Sequence, residues 1–269
     1  MENYVVIITG ANSSSGIGWA TAMEMAKKQP KAIYVTDIRD DQLPILAKKL
    51  QTDYNVDGIA RKVDASSEDD VKAVVDEALA TYGRLDVFFA NAGICLLNQL
   101  HNETKTNFLK TMEVNAWSVL TAIQHASAAM EKTSEAKPKS GGSIIANASI
   151  AGIRSGAGPI SYSASKAAVV SLVQSSAWRL KGKNIRVNTV CPGFIATDLT
   201  QPAINALNDM NPQAALDQNP LERFGEPIEI ATTVTFLASS ESSFINGQDI
   251  RIDGGFGRSY RHVPLFGDA

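Results

Sequence analysis

The chain has 269 residues, of which 44% are hydrophobic and 20% are charged, and its formal net charge is −3. This composition is typical of a globular protein that buries a large core without disulfides. The Lys and Arg residues are scattered along the chain rather than clustered, which argues against a nucleic-acid partner. Cys95 and Cys191 lie in separate apolar segments and form no metal-type pair, so we expect reduced, buried thiols.

The sequence also disfavours membrane and metal functions. Its longest wholly apolar runs cover about four residues, whereas a transmembrane helix needs roughly 20. Residues 1–4 do not show the basic and apolar segments of a secretory signal. The histidines His101, His125 and His262 do not have the spacing of metal ligands. We therefore expect a cytoplasmic protein with no membrane partner and no metal site.

Short β-branched runs alternate with helical patterns along the chain. Strands are expected at residues 4–9, 32–36, 57–63, 85–90, 143–148, 185–190 and 248–252. Helices are expected at residues 17–28, 40–51, 69–82, 104–132, 160–181 and 227–238. Strands that alternate with helices predict βαβ units in one parallel sheet. The predicted fold class is α/β: a single-domain, doubly wound parallel sheet of Rossmann type over residues 1–269, with helices on both faces.

Three segments fall outside this pattern. Residues 132–142 form a polar loop, for which we expect an exposed insertion. Residues 198–223 are longer than most connections, which favours a substrate loop or lid, and residues 256–269 form a C-terminal tail. Arg154 is one basic candidate for contact with an anionic substrate, although a solvated loop arginine is the alternative.

A glycine-rich segment directly follows the first strand. It reads Thr9-Gly10-Ala11-Asn12-Ser13-Ser14-Ser15-Gly16-Ile17-Gly18 and opens the first helix. Glycines here let the backbone approach a pyrophosphate, whose charge is stabilised by the N–H groups and dipole of the helix N-terminus. The segment predicts a dinucleotide site contacted by Gly10, Gly16, Ile17 and Gly18. A flexible strand–helix loop is the alternative.

Asp37 indicates which dinucleotide is preferred. It ends the second strand 19 residues after Gly18, at the position where a carboxylate binds the adenosine ribose hydroxyls and repels a 2′-phosphate. Ile38, not a basic residue, follows it. We interpret this as a preference for NAD over NADP, with Asp37 and Ile38 beside the ribose. Asp37 could instead be a helix cap or a surface charge.

Tyr162 and Lys166 lie four residues apart at the start of a predicted helix, so their side chains share one face. A positive charge about 4 Å from a phenol contributes about 4 kcal/mol at an effective dielectric constant of about 20. In a partly desolvated cleft, Lys166 could therefore lower the pKa of Tyr162 toward neutrality, with help from an oxidised nicotinamide. Such a pair occurs often by chance and is a weak signal alone.

Further motifs accompany these residues. In chain order they are Asn91-Ala92-Gly93, Asn115, Ser149, which lies 13 residues before Tyr162, and Pro192-Gly193. With the glycine-rich segment and the Tyr162/Lys166 pair, their order and spacing resemble the short-chain dehydrogenase/reductase family from about residue 4 to residue 255. The resemblance implies an oxidoreductase that transfers hydride between NAD(H) and a small secondary alcohol or ketone.

The resemblance also implies roles for four catalytic residues. Tyr162 would be the general acid/base, and Lys166 would lower its pKa and hold the nicotinamide ribose. Ser149 would hydrogen-bond the substrate oxygen. Asn115 would order a helix distortion and a water chain to solvent.

Further cofactor contacts follow from the same resemblance. From the adenine to the nicotinamide end they are Asp64, Ala65, Asn91, Ala92, Gly93, Val114, Pro192, Gly193, Ile195 and Thr197. The resemblance implies in addition a homo-oligomer, a tetramer or dimer, built through long helices that include residues 160–181.

One departure concerns the glycine-rich segment. The family usually has three residues between the first two glycines, and here residues 11–15 make five. The extra residues could preserve the phosphate contacts, fold outward or reshape the ribose pocket. An NADPH-dependent carbonyl reductase, with this loop or Arg39 at the 2′-phosphate, is therefore an alternative. A non-catalytic nucleotide-binding protein of the same fold is a second, minor one.

Overall fold

The computed structural model describes residues 1–154, 156–202, 204–205 and 219–257. Its centre is a seven-stranded sheet with the strand order β3-β2-β1-β4-β5-β6-β7, and each neighbouring pair is parallel. The strands are β1 (Val5–Thr9), β2 (Ala32–Asp37), β3 (Asp57–Lys62), β4 (Val87–Ala90), β5 (Gly142–Asn147), β6 (Ile185–Pro192) and β7 (Asp249–Ile252). The predicted α/β doubly wound fold is confirmed.

Helices cover both faces of the sheet. They are α1 (Ile17–Ala26), α2 (Leu43–Tyr54), α3 (Glu68–Tyr82), α4 (Lys105–Met112), α5 (Ser118–Glu131), α6 (Ile160–Arg179) and α7 (Pro227–Ala238). One buried cluster joins α1, α2 and α7 to the sheet, and a second joins α3, α5 and α6 to its other face. Every residue of β1 and β4 is buried, because parallel strands covered on both faces need continuous apolar side chains.

The strand order reverses between β1 and β4. β2 and β3 follow on one side of β1, and β5, β6 and β7 follow on the other side of β4. At such a switch point the loops after the two strands diverge and leave a crevice at their carboxyl ends. The loops after β1 and β4 carry the glycine-rich segment and Asn91-Ala92-Gly93. The fold therefore brings these two motifs to the same edge of the sheet.

The helix predicted over residues 104–132 is not continuous. Residues Glu113–Trp117 form a π-helical turn that separates α4 from α5. Such turns insert an extra residue into the helical ladder and are frequent at functional sites. The expected helical stretch is present as α4, this turn and α5, and the helix distortion expected at Asn115 is centred on that residue.

The loop over residues 132–142 is mostly exposed, as expected, but one of its side chains anchors it to the protein. Lys137 is buried, and its ammonium donates hydrogen bonds to the Leu85 carbonyl at 2.5 Å and the Gly141 carbonyl at 2.6 Å. Burial lowers the pKa of Lys137, and the nearby Asp86 carboxylate partly opposes this shift. The buried ammonium thus fixes the loop to the start of the sheet.

One edge of the sheet exposes charged residues. β3 is the outermost strand on one side, and its Arg61 and Lys62 are exposed. Arg61 also pairs with Glu77 of α3 at 2.6 Å.

In the described ranges, no helix has the length and apolar character needed to cross a membrane. The same ranges contain no group of three or more His, Cys, Asp or Glu residues suited to a metal ion.

Candidate active site

Two adjoining cavities open at the carboxyl ends of the central strands. The first has a volume of about 350 Å³ and extends from the glycine-rich segment to the N-terminal part of α6. The second has a volume of about 360 Å³ and lies between residues 156–159 and the segment after β6. Tyr162 and Leu199 line both cavities. A group bound in one cavity would therefore meet a group bound in the other at Tyr162.

Two glycines are required where the chain turns from β1 into α1. Gly10 has a φ of +68°, and a Cβ there would lie 2.9 Å from the Cα of Ala92. A Cβ on Gly18 would overlap the carbonyl oxygen of Gly10. The α1 N-terminus can therefore approach the floor of the first cavity only because these positions lack side chains.

Asn12 determines the path of the lengthened glycine-rich segment. Its side-chain oxygen accepts hydrogen bonds from the backbone N–H groups of Gln42 at 2.8 Å and Leu43 at 3.1 Å. Its amide nitrogen donates to Asp41 at 2.8 Å. Asn12 thus caps the N-terminus of α2 from a distant loop, and it fixes the extra residues against the turn after β2.

Asp37 lies on the wall of the first cavity beside Ile38. Its two carboxylate oxygens accept hydrogen bonds from the backbone N–H groups of Asn12 and Arg39, each at 3.1 Å. The guanidinium of Arg39 pairs with Asp41 at 3.2 Å and is mostly exposed. The cavity wall therefore presents the Asp37 carboxylate in a fixed position. The long basic side chain of Arg39 lies close to it in the sequence.

Asn91 forms the floor between the ends of three strands. Its amide nitrogen donates to the carbonyls of Thr9 at 3.0 Å and Gly10 at 2.9 Å. Its side-chain oxygen accepts a hydrogen bond from Asn147 at 2.8 Å. Since Thr9 ends β1, Asn147 ends β5 and Asn91 follows β4, these bonds hold the cavity floor in one position.

Tyr162 and Lys166 project from the same face of α6. The Lys166 ammonium lies 5.6 Å from the centroid of the Tyr162 ring. Lys166 is 3% exposed, and it donates a hydrogen bond to the Asn147 carbonyl at 2.6 Å. Because both side chains line the first cavity, an ammonium and a phenol face one bound molecule.

The protonation of this pair follows from burial. Burial raises the pKa of Tyr162 to about 12, and a hydrogen-bonding interaction with Ser149 partly opposes this shift. Burial also lowers the pKa of Lys166 to about 8. Without a bound cofactor, desolvation of the phenol is the largest influence on its pKa, so the lowering expected from Lys166 together with an oxidised nicotinamide stays a prediction.

Asn115 is fully buried behind the pair. Its side-chain oxygen accepts a hydrogen bond from the Ile94 N–H at 2.8 Å, and its nitrogen donates to the Ile94 carbonyl at 2.9 Å. The same nitrogen donates to the Ser165 hydroxyl on α6 at 2.9 Å. The π-helical turn thus aims Asn115 at the β4 loop and at α6 together, which positions the two elements that carry the cavity.

The second cavity is mostly apolar, and none of its described lining residues carries a charge. Ser149 and Tyr162 are among its few polar groups. The lining residues are Cys95, Leu97, Ser149, Ile150, Gly156, Ala157, Gly158, Pro159, Tyr162, Gly193, Phe194, Leu199 and Thr200.

The expectation that both thiols are buried was wrong for Cys95. Cys95 is partly exposed and lines this cavity, while Cys191 is buried.

Arg154 lines neither cavity, and its guanidinium contacts Phe256 and does not extend into solvent as a loop arginine would. Its guanidinium donates a hydrogen bond to the Phe256 carbonyl and lies 4.1 Å from the centroid of the Phe256 ring. Phe256 is itself buried. Arg154 therefore secures the chain after β7 and is not directed at a substrate.

The comparisons with known proteins agree with this geometry. A family model described as enoyl-(acyl carrier protein) reductase matches residues 10–257. A 3-oxoacyl-[acyl-carrier-protein] reductase of Thermotoga maritima is 37% identical over 260 residues, which cover 95% of this chain and 98% of the relative. A short-chain dehydrogenase/reductase of Botryotinia fuckeliana is 32% identical over 257 residues, which cover 94% and 96%.

The crystal structure of levodione reductase superimposes with a TM-score of 0.87 at 31% identity, covering 97% of this chain and 100% of that one. The chain belongs to the short-chain dehydrogenase/reductase family. It is therefore an oxidoreductase of a family that uses a nicotinamide dinucleotide. The first cavity of this short-chain dehydrogenase/reductase fits such a molecule, because its glycine cradle lies at the pyrophosphate position of the fold, with Asp37 and Tyr162 on its walls.

Most of the predicted cofactor residues of this dehydrogenase/reductase line the first cavity. They are Gly10, Gly16, Ile17, Asp37, Ile38, Asp64, Ala65, Asn91, Ala92, Gly93, Val114, Tyr162, Lys166 and Thr197. Gly18 packs beneath Gly10 instead. Gly193 lines the second cavity, Pro192 ends β6, and the Ile195 side chain lies in the core, so only its backbone could reach a cofactor.

Sequence reasoning missed several residues of the first cavity. They are Ser13, Val63, Ile94, Lys110, Asn147, Asp198 and Leu199. Asn147 could have been found, since it ends a predicted strand two residues before Ser149. Lys110 carried no such signal, because it lies within α4 and no motif in the sequence marks its side chain as reaching the cavity.

Proposed function

We propose that this enzyme transfers hydride between NAD(H) and a secondary alcohol or ketone, with Ser149, Tyr162, Lys166 and Asn115 as its catalytic site. The observation that carries the proposal is the position of Tyr162, whose side chain lines the first cavity and the apolar cavity together. A ketone held in the apolar cavity would place its oxygen beside this phenol. Lys166 and Asn115 lie behind it and hold the elements that present it.

In its protonated form Tyr162 can act as the general acid in the reduction of a ketone. With a pKa of about 12, Tyr162 carries its proton at neutral pH and can donate it to the carbonyl oxygen as hydride arrives at the carbon. Ser149 supplies a second hydroxyl that stabilises the charge developing on that oxygen. A bound reduced nicotinamide would supply the hydride.

The preference for NAD rests on Asp37. Two backbone N–H groups hold its carboxylate in the cavity wall, where it would accept hydrogen bonds from ribose hydroxyls and repel a 2′-phosphate. The competing function, an NADPH-dependent carbonyl reductase, is supported by Arg39, whose exposed guanidinium lies on the same turn. Turnover of one ketone with each reduced cofactor distinguishes the two functions.

An Asp37→Ser variant is expected to shift the ratio of kcat/KM for NADPH over NADH upward by roughly 100-fold or more, because a carboxylate close to a phosphate costs several kcal/mol in a partly buried cleft. The matched control is Asp40→Ser, which removes an exposed carboxylate three residues away that does not line the cavity. A ratio that is equal in both variants would contradict the role of Asp37.

The substrate is proposed to be an uncharged, largely apolar ketone, since the described lining of the second cavity carries no charge. The names of the relatives suggest two probes: a 3-oxoacyl thioester and levodione. Both can be followed through nicotinamide absorbance, with a 3-oxo acid of similar size as the charged comparison. Equal rates with the acid and the uncharged ketones would exclude the proposed selectivity.

The pH dependence of ketone reduction is expected to report on Lys166. Its pKa is lowered to about 8, so the ammonium is present below that pH and is lost above it. We expect kcat/KM to fall as the pH rises through about 8. A Lys166→Arg variant that retains activity should lack this fall, because a guanidinium does not titrate in this range. A wild-type profile that stays flat to about pH 10 would contradict this assignment.

We also propose that the enzyme forms a homo-oligomer. An oligomer is supported by an apolar groove on α4, α5 and α6, where Leu109 and Trp117 are exposed beside Leu172. We further propose one domain in the cytoplasm. The proposed lid over residues 198–223 lies partly, and the C-terminal tail over 256–269 mostly, outside the described residues.

A further inference from the structure

Two serines of the lengthened glycine-rich segment bind the segment that follows β6. The Ser13 hydroxyl donates to one carboxylate oxygen of Asp198 at 2.6 Å, and the Ser15 hydroxyl donates to the other at 2.8 Å. The two hydroxyl oxygens lie 3.1 Å apart. We call these three residues the serine–aspartate bridge.

The bridge lies at the first cavity. Ser13 and Asp198 both line that cavity, and so does Leu199, the neighbour of Asp198. The exposed position of the three side chains places the bridge at the rim and not in the interior. A dinucleotide that extends along the glycine-rich segment would therefore lie beneath these hydrogen bonds.

Both ends of the bridge are anchored. On one side, Asn12 fixes the glycine-rich segment to the turn before α2. On the other, the Thr197 N–H donates to the Thr200 hydroxyl at 3.1 Å, which holds Asp198 within a turn. Since the hydroxyls of Ser13 and Ser15 lower the pKa of Asp198, the carboxylate is ionised at neutral pH and both bonds are charge-assisted.

We propose that the serine–aspartate bridge closes over the bound dinucleotide and slows its release, so that Ser13, Ser15 and Asp198 are positioning residues for the cofactor. This inference rests on the proposed function, because it requires a dinucleotide in the first cavity. It assigns a role to the extra length of the segment, which brings two hydroxyls to one carboxylate. Through Leu199, which lines both cavities, the bridge also connects cofactor retention to the substrate cavity.

The test is the rate at which NADH leaves the wild-type enzyme and a Ser13→Ala/Ser15→Ala variant, measured by stopped-flow displacement with the nicotinamide fluorescence as signal. We expect release to be roughly tenfold faster in the variant, a modest effect because the bonds are exposed, with little change in the association rate constant. A Ser13→Thr/Ser15→Thr variant keeps both hydroxyls and should restore slow release. Ser14→Ala, in the same segment, is the matched control.

Asp198→Ala gives a second, independent measurement. It should accelerate release as much as the double serine variant does, and combining all three substitutions should add nothing, because they remove one interaction. Unchanged release in the double serine variant would overturn the proposal. Slower release in Asp198→Ala would also overturn it, since the carboxylate would then be repelling the cofactor phosphates.

The two proposals fail in different ways. If wild-type protein binds neither NADH nor NADPH, the proposed function is refuted and the bridge proposal falls with it. If NADH binds normally and the variants release it at the wild-type rate, the proposed function stands and the bridge proposal alone is refuted.

Discussion

A Tyr162→Phe variant is expected to reduce ketones roughly 1,000-fold more slowly than the wild type, because a positioned general acid contributes about 10²–10⁴-fold to such a step. The substitution removes one hydroxyl and keeps the ring that lies 5.6 Å from the Lys166 ammonium. Cofactor affinity should change little, since the glycine cradle and Asp37 are untouched. The two measurements are steady-state turnover at saturating cofactor and a fluorescence titration with NADH.

The control for this variant is Tyr54→Phe, which removes a phenol hydroxyl at the end of α2, outside both cavities. It should show wild-type turnover. If Tyr162→Phe kept more than about a tenth of the wild-type rate, the proton would have to come from another group, such as water, and Tyr162 would lose its proposed role.

A Ser149→Ala variant is expected to lose roughly 100-fold in kcat, the usual effect of removing one donor to a developing oxyanion. The Ser149 oxygen accepts a hydrogen bond from the Ala151 N–H at 3.1 Å, so its own hydrogen is available to the substrate oxygen. Ser149 also begins the short 3-10 turn Ile150–Gly152, which the alanine would leave without its cap. The measurement is kcat and KM for a ketone, with thermal unfolding as a check of the fold.

Ser149→Thr separates the two functions of this side chain. A threonine keeps both the cap and the hydroxyl, so it should recover most of the turnover and the full melting temperature. If Ser149→Ala raised KM and left kcat unchanged, the hydroxyl would contribute to ground-state binding only, and the oxyanion role would be excluded.

The fold was predictable because its signals are local and repeated. β1 is an unbroken apolar run, and the observed strand Val5–Thr9 differs from the predicted one by a single residue. The helix α7 has the predicted bounds, since a Pro opens it and its apolar residues recur at helical spacing. Alternation of such elements then limits the topology to a parallel sheet, whose order places the glycine-rich segment next to Asn91.

Features that depend on distant contacts were not predictable in this way. The helix distortion at Asn115 was expected from the family resemblance alone, because the bonds that stabilise it, to Ile94 and Ser165, lie 21 and 50 residues away in the sequence. Lys137 looks like any exposed lysine until the carbonyls of Leu85 and Gly141 surround it. In each case the neighbouring residues in the sequence give no sign that the polar side chain is buried. It can be buried because backbone groups distant in the sequence form hydrogen bonds with it.

The candidate site divides along the same line. Tyr162 and Lys166 could be paired from sequence because one helical turn separates them. The pKa of the phenol could not be predicted, because its direction depends on how completely the surrounding chain removes water, and burial raises it. Asp198 was assigned only to a loop, and its two bonds to the glycine-rich segment depend on a contact across 183 to 185 residues.

The outer strand β3 has a consequence for how these molecules behave at high concentration. An unpaired strand edge is a template on which a second chain can add a strand and begin an aggregate. The exposed cation at Lys62 opposes that event, since two copies meeting along this edge would bring like charges together, whereas Arg61 is already paired with Glu77. A neutral replacement at Lys62 would therefore favour self-association through this edge without altering either cavity.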